Sequence, residues 1–210
     1  MAEILIWGAS GGIGGALVTQ CAAQGWTVYA AARHDDRIPA GAALTCAFRA
    51  EDAYSIQQAA YQVGQASSGL DAVVYAAGGM VAGTLDSFSA GDWAAVFDAN
   101  LNGAARCAAA SLPLMKEGGH FLAIGAYVDK ISLPRFGAYA AAKAALEPLI
   151  TILGKENRKL RFTLVRPGAV DTPFWHNVPF SLPKGAASAE SVAAAILQRV
   201  ESGQSGALDL

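Results

Sequence analysis

Gly8-Ala9-Ser10-Gly11-Gly12-Ile13-Gly14-Gly15 follows directly on the apolar run Ile4-Leu5-Ile6-Trp7 and leads into a helical pattern over residues 14–24 that Gly25 closes. Glycines between a buried strand and a helix permit positive φ and a tight turn. They also let the backbone approach a phosphate at a helix N-terminus, where amide donors and the macrodipole attract anions. A dinucleotide pyrophosphate calls for this chemistry. The glycines stand at Gly8, Gly12 and Gly14, a GxxxGxG spacing that differs from the general GxGxxG fingerprint. A purely structural turn is therefore the competing reading of this loop taken alone.

Outward from the loop, short apolar runs alternate with longer helical patterns. Strands are expected at 4–7, 27–31, 42–48, 70–76, 120–124, 161–165 and 207–210, and helices at 14–24, 52–67, 92–115, 137–153 and 191–200. A cap-like Asp92 would open the third helix, and Pro148 should kink the fourth or mark its weakest turn. Such alternation argues for βαβ units and a parallel sheet covered on both faces, and the near-continuous apolar strands fit that burial. The fold expected is α/β: one doubly wound Rossmann-type domain over residues 1–210, with six to seven parallel strands.

Composition narrows the function classes. The formal charge is −2, from 15 Lys+Arg against 17 Asp+Glu, and no long basic tract appears, so nucleic acid is not an expected partner. Cys21, Cys46 and Cys107 lie far apart without a CxxC pair, which offers neither a disulfide framework nor a zinc site. His34, His120 and His176 do not cluster either, and no metal is expected. No apolar run approaches a membrane span, and Met1-Ala2-Glu3 carries no basic leader. A cytoplasmic protein with reduced thiols is expected.

The loop acquires its meaning from three further stretches: Asn100 in the third helix, Tyr139-Ala-Ala-Ala-Lys143 in the fourth, and Pro167-Gly168-Ala-Val170-Asp-Thr172 after a strand. Together with Gly8 to Gly14, in this order, they resemble the motifs of the short-chain dehydrogenase/reductase family. The resemblance runs from residue 3 to about residue 210. It implies that Gly8, Ser10, Gly12, Ile13, Gly14, Pro167, Gly168, Val170 and Thr172 hold a nicotinamide dinucleotide, with Thr172 at the carboxamide. It also implies that Tyr139 exchanges the proton of a hydride transfer, that Lys143 binds the nicotinamide ribose, and that Asn100 holds a water in the proton relay. Tyr139 and Lys143, spaced i, i+4, share one helix face. A cation there would favour phenolate and bring the phenol below its usual value of about 10.

Three departures from the family pattern stand out. Where the family carries a serine that hydrogen-bonds the substrate oxygen, this chain has Ala126, within Ile124-Gly125-Ala126-Tyr127. Tyr127 and then Ser132 are the nearby hydroxyls that could replace it, or neither acts. The usual NNAG tetrad reads Tyr75-Ala76-Ala77-Gly78, which loses the asparagines but keeps in Ala76, Ala77 and Gly78 the small residues that let backbone approach the cofactor, and Arg49 stands where an adenine-contacting Asp is expected. At the end of the second strand, Ala32 is followed by Arg33 rather than by an acidic residue. An acidic side chain there would bind a ribose 2′-hydroxyl, whereas Arg can meet a 2′-phosphate, so NADP(H) is favoured over NAD(H).

The segment that would cover a small-molecule substrate, 173–183, carries Phe174, Trp175 and Phe180, which could line an apolar pocket. Ala-rich faces on the helices at 93–115 and 137–153 permit close packing, and the family resemblance implies that such helices pair across a two-fold axis in a homodimer or homotetramer, although the same stripes could equally face the chain's own sheet. The chain is thus expected to be an NADP(H)-dependent oxidoreductase acting on a carbonyl or alcohol through Tyr139, Lys143 and Asn100. A catalytically weak dinucleotide-binding sensor or partner protein of the same fold is the alternative, and proton transfer without net hydride transfer stays open.

Overall fold

The computed structural model describes residues 1–210. In chain order it comprises β1 (Glu3–Trp7), α1 (Gly12–Ala23), β2 (Thr27–Ala32), β3 (Leu44–Ala47), α2 (Ala53–Ala66), β4 (Leu70–Tyr75), α3 (Ala90–Phe97), α4 (Gly103–Ser111) and β5 (Met115–Ile124). There follow α5 (Val128–Ile131), α6 (Gly137–Ala144), α7 (Leu146–Glu156), β6 (Arg161–Arg166), β7 (Val170–Asp171), β8 (Ala187–Ser188), α8 (Ala189–Ser202) and β9 (Gly206–Asp209).

Seven strands form one parallel sheet in the order β3-β2-β1-β4-β5-β6-β9. Because successive strand residues point to opposite faces, each strand feeds two cores. Leu5, Trp7, Val73 and Phe121 pack with α2, α4 and α7 on one face, and Ile4, Ile6, Val74 and Leu122 pack with α1 and α8 on the other. Trp7, fully buried, satisfies its indole N–H on Ser111 Oγ at 3.0 Å. The fold expected from the alternation of elements is the one observed. The strand order reverses between β1 and β4, and the carboxyl ends of strands flanking such a switch point form the crevice where α/β sheets bind ligands.

Local chemistry accounts for most boundaries. Gly25, at φ 79°, ends α1 in the left-handed region, and the Asp52 side chain accepts from the Tyr54 amide to start α2. The third helix departs from expectation at both ends. Ser89, not Asp92, caps it, accepting from the Asp92 amide at 3.0 Å. At its far end Leu112-Pro113-Leu114 tightens into a 3-10 turn, and Met115 already pairs with Leu70 as the first residue of β5. The fourth helix breaks at Ala145 into α6 and α7. Pro148, one turn on, has no N–H to offer the Ala144 carbonyl.

A two-stranded patch, β7 with β8, pairs Val170 with Ala187 and Asp171 with Ser188. It ties together both ends of the 172–186 segment, which becomes a closed flap. No helix is long and apolar enough to cross a membrane, and no three His, Cys, Asp or Glu side chains gather as potential metal ligands. All three cysteines are buried free thiols, and burial pushes Cys21 up to about 12.

Candidate active site

The glycine loop lies at the switch point, between the ends of β1 and β4, and its glycines are required by contact. Gly8 holds φ 89°, and a Cβ there would lie 2.7 Å from the Ala77 Cα. A Cβ on Gly14 would overlap the Gly8 carbonyl, and one on Gly12 would lie 2.7 Å from the Thr172 Cβ. The loop thus packs against Ala76-Ala77 on one side and Thr172 on the other, which brings three of the expected cofactor segments into one cradle. Ala76 donates its amide to the Trp7 carbonyl at 2.7 Å. Gly11 opens α1 without a side-chain cap, so no side chain competes for the first-turn amides. An uncapped helix N-terminus approached this closely by backbone fits a pyrophosphate. Ser10 is exposed on the loop, Ile13 half-buried, and Gly168 is fixed by its amide on the Leu210 carbonyl at 3.0 Å.

Beside the cradle, Gly78, Asn100 and Lys143 converge. A Cβ on Gly78 would lie 3.0 Å from Asn100 Oδ1 and 3.9 Å from Lys143 Nζ. Asn100 is fully buried in a π-helical turn, Asp98–Asn102, between α3 and α4. Its Nδ2 donates to the Gly79 carbonyl at 2.6 Å and to the Val96 carbonyl at 2.8 Å, while Oδ1 has no partner. π-turns concentrate at functional sites, and a buried acceptor left open is a place for a donor to arrive.

Lys143 is buried and donates from Nζ to the Ile124 carbonyl at 2.7 Å, with its ammonium 5.7 Å from the centre of the Tyr139 ring. Burial brings Lys143 down to about 8 and raises the Tyr139 phenol above its usual value. This corrects the expectation that the lysine lowers the phenol. With the ammonium turned onto Ile124, loss of water is the dominant influence on Tyr139, and it disfavours the charged form.

Around Tyr139 the side chains are aromatic. Phe174 lies 5.5 Å from it, ring centre to ring centre, and Phe136 meets it edge-on at 6.1 Å and 88°. Phe180 in turn packs on Phe136 at 5.6 Å. Trp175, expected in the same pocket, instead donates its indole N–H to the Val170 carbonyl at 2.9 Å and anchors the base of the flap. Phe136 was not singled out in the sequence, although it sits one helical turn before Tyr139.

Ala126 is buried at the end of β5. Tyr127, the leading substitute for the serine, lies with its ring under Lys130 Nζ at 4.1 Å and within 5.8 Å of the Arg166 guanidinium. Ser132 is exposed and donates to the Val128 carbonyl at 2.7 Å. Ala126, Tyr127, Lys143 and Arg166 are among the walls of a cavity of about 130 Å³. At the other end of the crevice, Arg33 and Arg49 are both exposed. Arg49 pairs with Glu51 at 2.8 Å, and that ion pair, with a smaller contribution from Arg33, holds Glu51 below the usual carboxylate range.

A profile of the short chain dehydrogenase family matches residues 2–180. The chain belongs to that family. An uncharacterised oxidoreductase of Staphylococcus aureus is 29% identical over 182 residues, covering 80% of this chain and 78% of that protein. The structure of an alcohol dehydrogenase from Thermococcus sibiricus, complexed with 5-hydroxy-NADP, is similar over 100% of this chain and 96% of that one, at 28% identity and a TM-score of 0.90. Thermoplasma acidophilum aldohexose dehydrogenase shares the fold at 20% identity and a TM-score of 0.87, over 100% of this chain and 92% of that one. Membership in the short chain dehydrogenase family supports dehydrogenase or reductase activity with a nicotinamide dinucleotide.

Proposed function

We propose that this short chain dehydrogenase is a single-domain enzyme that interconverts a carbonyl compound and its alcohol with NADP(H), using Tyr139 as general acid and base. The observation that carries this reading is the convergence of Lys143 and the open Asn100 Oδ1 on Gly78, beside the Tyr139 ring and next in sequence to Ala77, which packs on Gly8 of the cradle. Bound cofactor supplies the hydride to, or takes it from, the reacting carbon. Tyr139 gives its phenolic proton to the carbonyl oxygen in reduction and takes it back in oxidation. Lys143, whose ammonium is held by Ile124 O, supplies the positive charge that the phenolate lacks during that exchange, and Asn100 Oδ1 accepts from a water that returns the proton. Phe136, Phe174 and Phe180 exclude other water from the phenol.

Lys143 sets the alkaline limit. With its value at about 8, the ammonium is present below that pH and lost above it. Reduction, measured as kcat/KM for any accepted carbonyl, is expected to fall as pH rises through about 8. A profile flat to pH 10 would exclude the ammonium from the step.

Arg33, with Arg49 beside Glu51, supports NADP(H), as does the NADP analogue named in the Thermococcus sibiricus structure. Fluorescence titration is expected to show tighter binding of NADPH than NADH. Arg33→Ala should weaken NADPH by roughly tenfold, the scale of one charge-assisted hydrogen bond, with NADH little changed. Equal loss for both cofactors would remove the 2′-phosphate from the account.

A homodimer or homotetramer in the cytoplasm completes the proposal, with α4 and α7 as the pairing faces. The half-exposed Ile152 on α7 supports this pairing. The alternative of a weakly active sensor of the same fold draws on one observation, that Ala126 has no hydroxyl while the Ser132 hydroxyl is engaged by the Val128 carbonyl.

A further inference from the structure

We propose that the carbonyl substrate of this site is a neutral aryl aldehyde or ketone, gripped by Phe136, Phe174 and Phe180 beside Tyr139, rather than a sugar or an anionic oxoacid. The proposal rests on the reductase reading above and adds to it the chemical class of the substrate.

The rings form a continuous run. Phe180, 45% exposed, stands at the outer end, Phe136, 6% exposed, at the inner end, and Tyr139 meets both Phe136 and Phe174. A molecule passing from solvent to the phenol therefore moves along aromatic surface. Two of the pairs are tilted, at 37° between Phe136 and Phe180 and 44° between Tyr139 and Phe174, and one is edge-on, at 88° between Phe136 and Tyr139. Aromatic rings favour offset and edge-to-face contacts over flat stacking, so a further flat ring can join this group.

Three of the cations near the rings are engaged, and a fourth, Arg135 beside Phe136, is exposed to solvent. Lys143 is held on the Ile124 carbonyl, Lys130 lies over Tyr127, and Arg166 is paired with Asp209 at 2.7 Å. Gly125 and Ala126 put no hydroxyl where the family has its serine. A carboxylate or a ring of hydroxyls brought against the faces of these phenylalanines would lose its water to apolar surface, which is unfavourable for each such group. An aryl ring loses nothing comparable, and its one polar atom, the carbonyl oxygen, meets the Tyr139 hydroxyl. The flap holds Phe174 in place, because β7 pairs with β8 across its base and Trp175 is tied to Val170. Phe180, further along the flap, is the ring free to move aside for entry.

In the reaction the carbonyl carbon gains a hydride from NADPH, the π pair of the C=O bond passes to oxygen, and that oxygen takes the Tyr139 proton. An alcohol and NADP⁺ result, and water restores the phenol.

The test uses the full chain and two readouts. Saturation-transfer NMR should show acetophenone bound and glucose and pyruvate unbound, with and without NADPH. NADPH consumption should proceed with benzaldehyde and acetophenone at a kcat/KM at least tenfold above that for butanal, with glucose and pyruvate inactive. Phe174→Ala, and separately the surface change Phe180→Ala, should lower the aryl-to-butanal ratio of kcat/KM by about tenfold and weaken the acetophenone signal. Absence of acetophenone binding, turnover of glucose or pyruvate at the aryl rate, or an unchanged ratio in both variants overturns the proposal. Acetophenone binding that Phe174→Ala abolishes, with no NADPH consumed by any carbonyl, supports the aromatic grip and overturns the reductase reading instead.

Discussion

Tyr139→Phe is expected to remove carbonyl reduction while leaving NADPH bound with unchanged affinity. The substitution deletes one oxygen and keeps the ring, so the packing on Phe136 and Phe174 persists, and the phenolic oxygen is not among the groups holding the fold together. What disappears is the proton donor. A positioned general acid typically contributes about 10²–10⁴-fold, and here the effect should lie at the upper end. The dehydrated surroundings that raise the phenol above its usual value also deny a replacement water easy access. The measurement pairs single-turnover NADPH oxidation with a fluorescence titration of NADPH on the same variant. Turnover within about threefold of wild type would exclude Tyr139 from the proton transfer, because general-acid effects are far larger than that.

The raised phenol defines what cofactor and lysine have to accomplish. In the free protein Lys143 faces Ile124 O, and burial disfavours charge on both side chains, raising Tyr139 and lowering Lys143. A charged pair placed there would be mutually stabilising only if phenolate and ammonium form together. A positive nicotinamide beside the phenol would act in the same direction. The site is thus arranged so that charge on Tyr139 is unfavourable until the reacting groups are assembled.

How much of this was legible before the structure depends on whether the signal was local. The cradle was legible because Gly8, Gly12 and Gly14 sit within one turn that directly follows a buried apolar run, while its position at a switch point follows only from the strand order of the sheet. The break near Pro148 was legible for the same reason, since a missing N–H acts within one helical turn. The end of the third helix was not. Residues 115–119 become strand only because Met115 finds Leu70 as a partner, and that pairing is decided by residues distant in sequence. Asn100 could be singled out, but not the π turn that leaves its Oδ1 open. The spacing of Tyr139 and Lys143 correctly put both on one face, yet it suggested a lowered phenol. The dehydration that reverses the sign comes from burial within the folded chain. Trp175 leaves the pocket expected of it, and Phe136, on which no expectation rested, stands there instead, for a similar reason. Both are aromatic, but only the hydrogen bond from Trp175 to Val170 shows which one anchors the flap.

Ala126→Ser is expected to accelerate carbonyl reduction. Removing one donor to a developing oxyanion costs an evolved enzyme about 10²–10³-fold, so restoring one at the matching position should gain at least about tenfold and at most about that amount. The position can take the oxygen, because Ala126 borders the cavity of about 130 Å³ that it shares with Tyr127 and Lys143. One added hydroxyl there need not displace a packed neighbour. The gain should fall on kcat rather than on KM, since the hydrogen bond strengthens as charge develops on the substrate oxygen. Tyr127→Phe provides the contrast. With its ring held under Lys130 and near Arg166, Tyr127 is expected not to serve as the substitute donor, and loss of its hydroxyl should leave kcat within about twofold, well below the scale of a lost oxyanion donor. If Tyr127→Phe instead lowered kcat by the amount expected of a lost donor and Ala126→Ser brought no gain, the tyrosine would be the stabiliser after all. The ring would then have to leave its two cations whenever substrate binds.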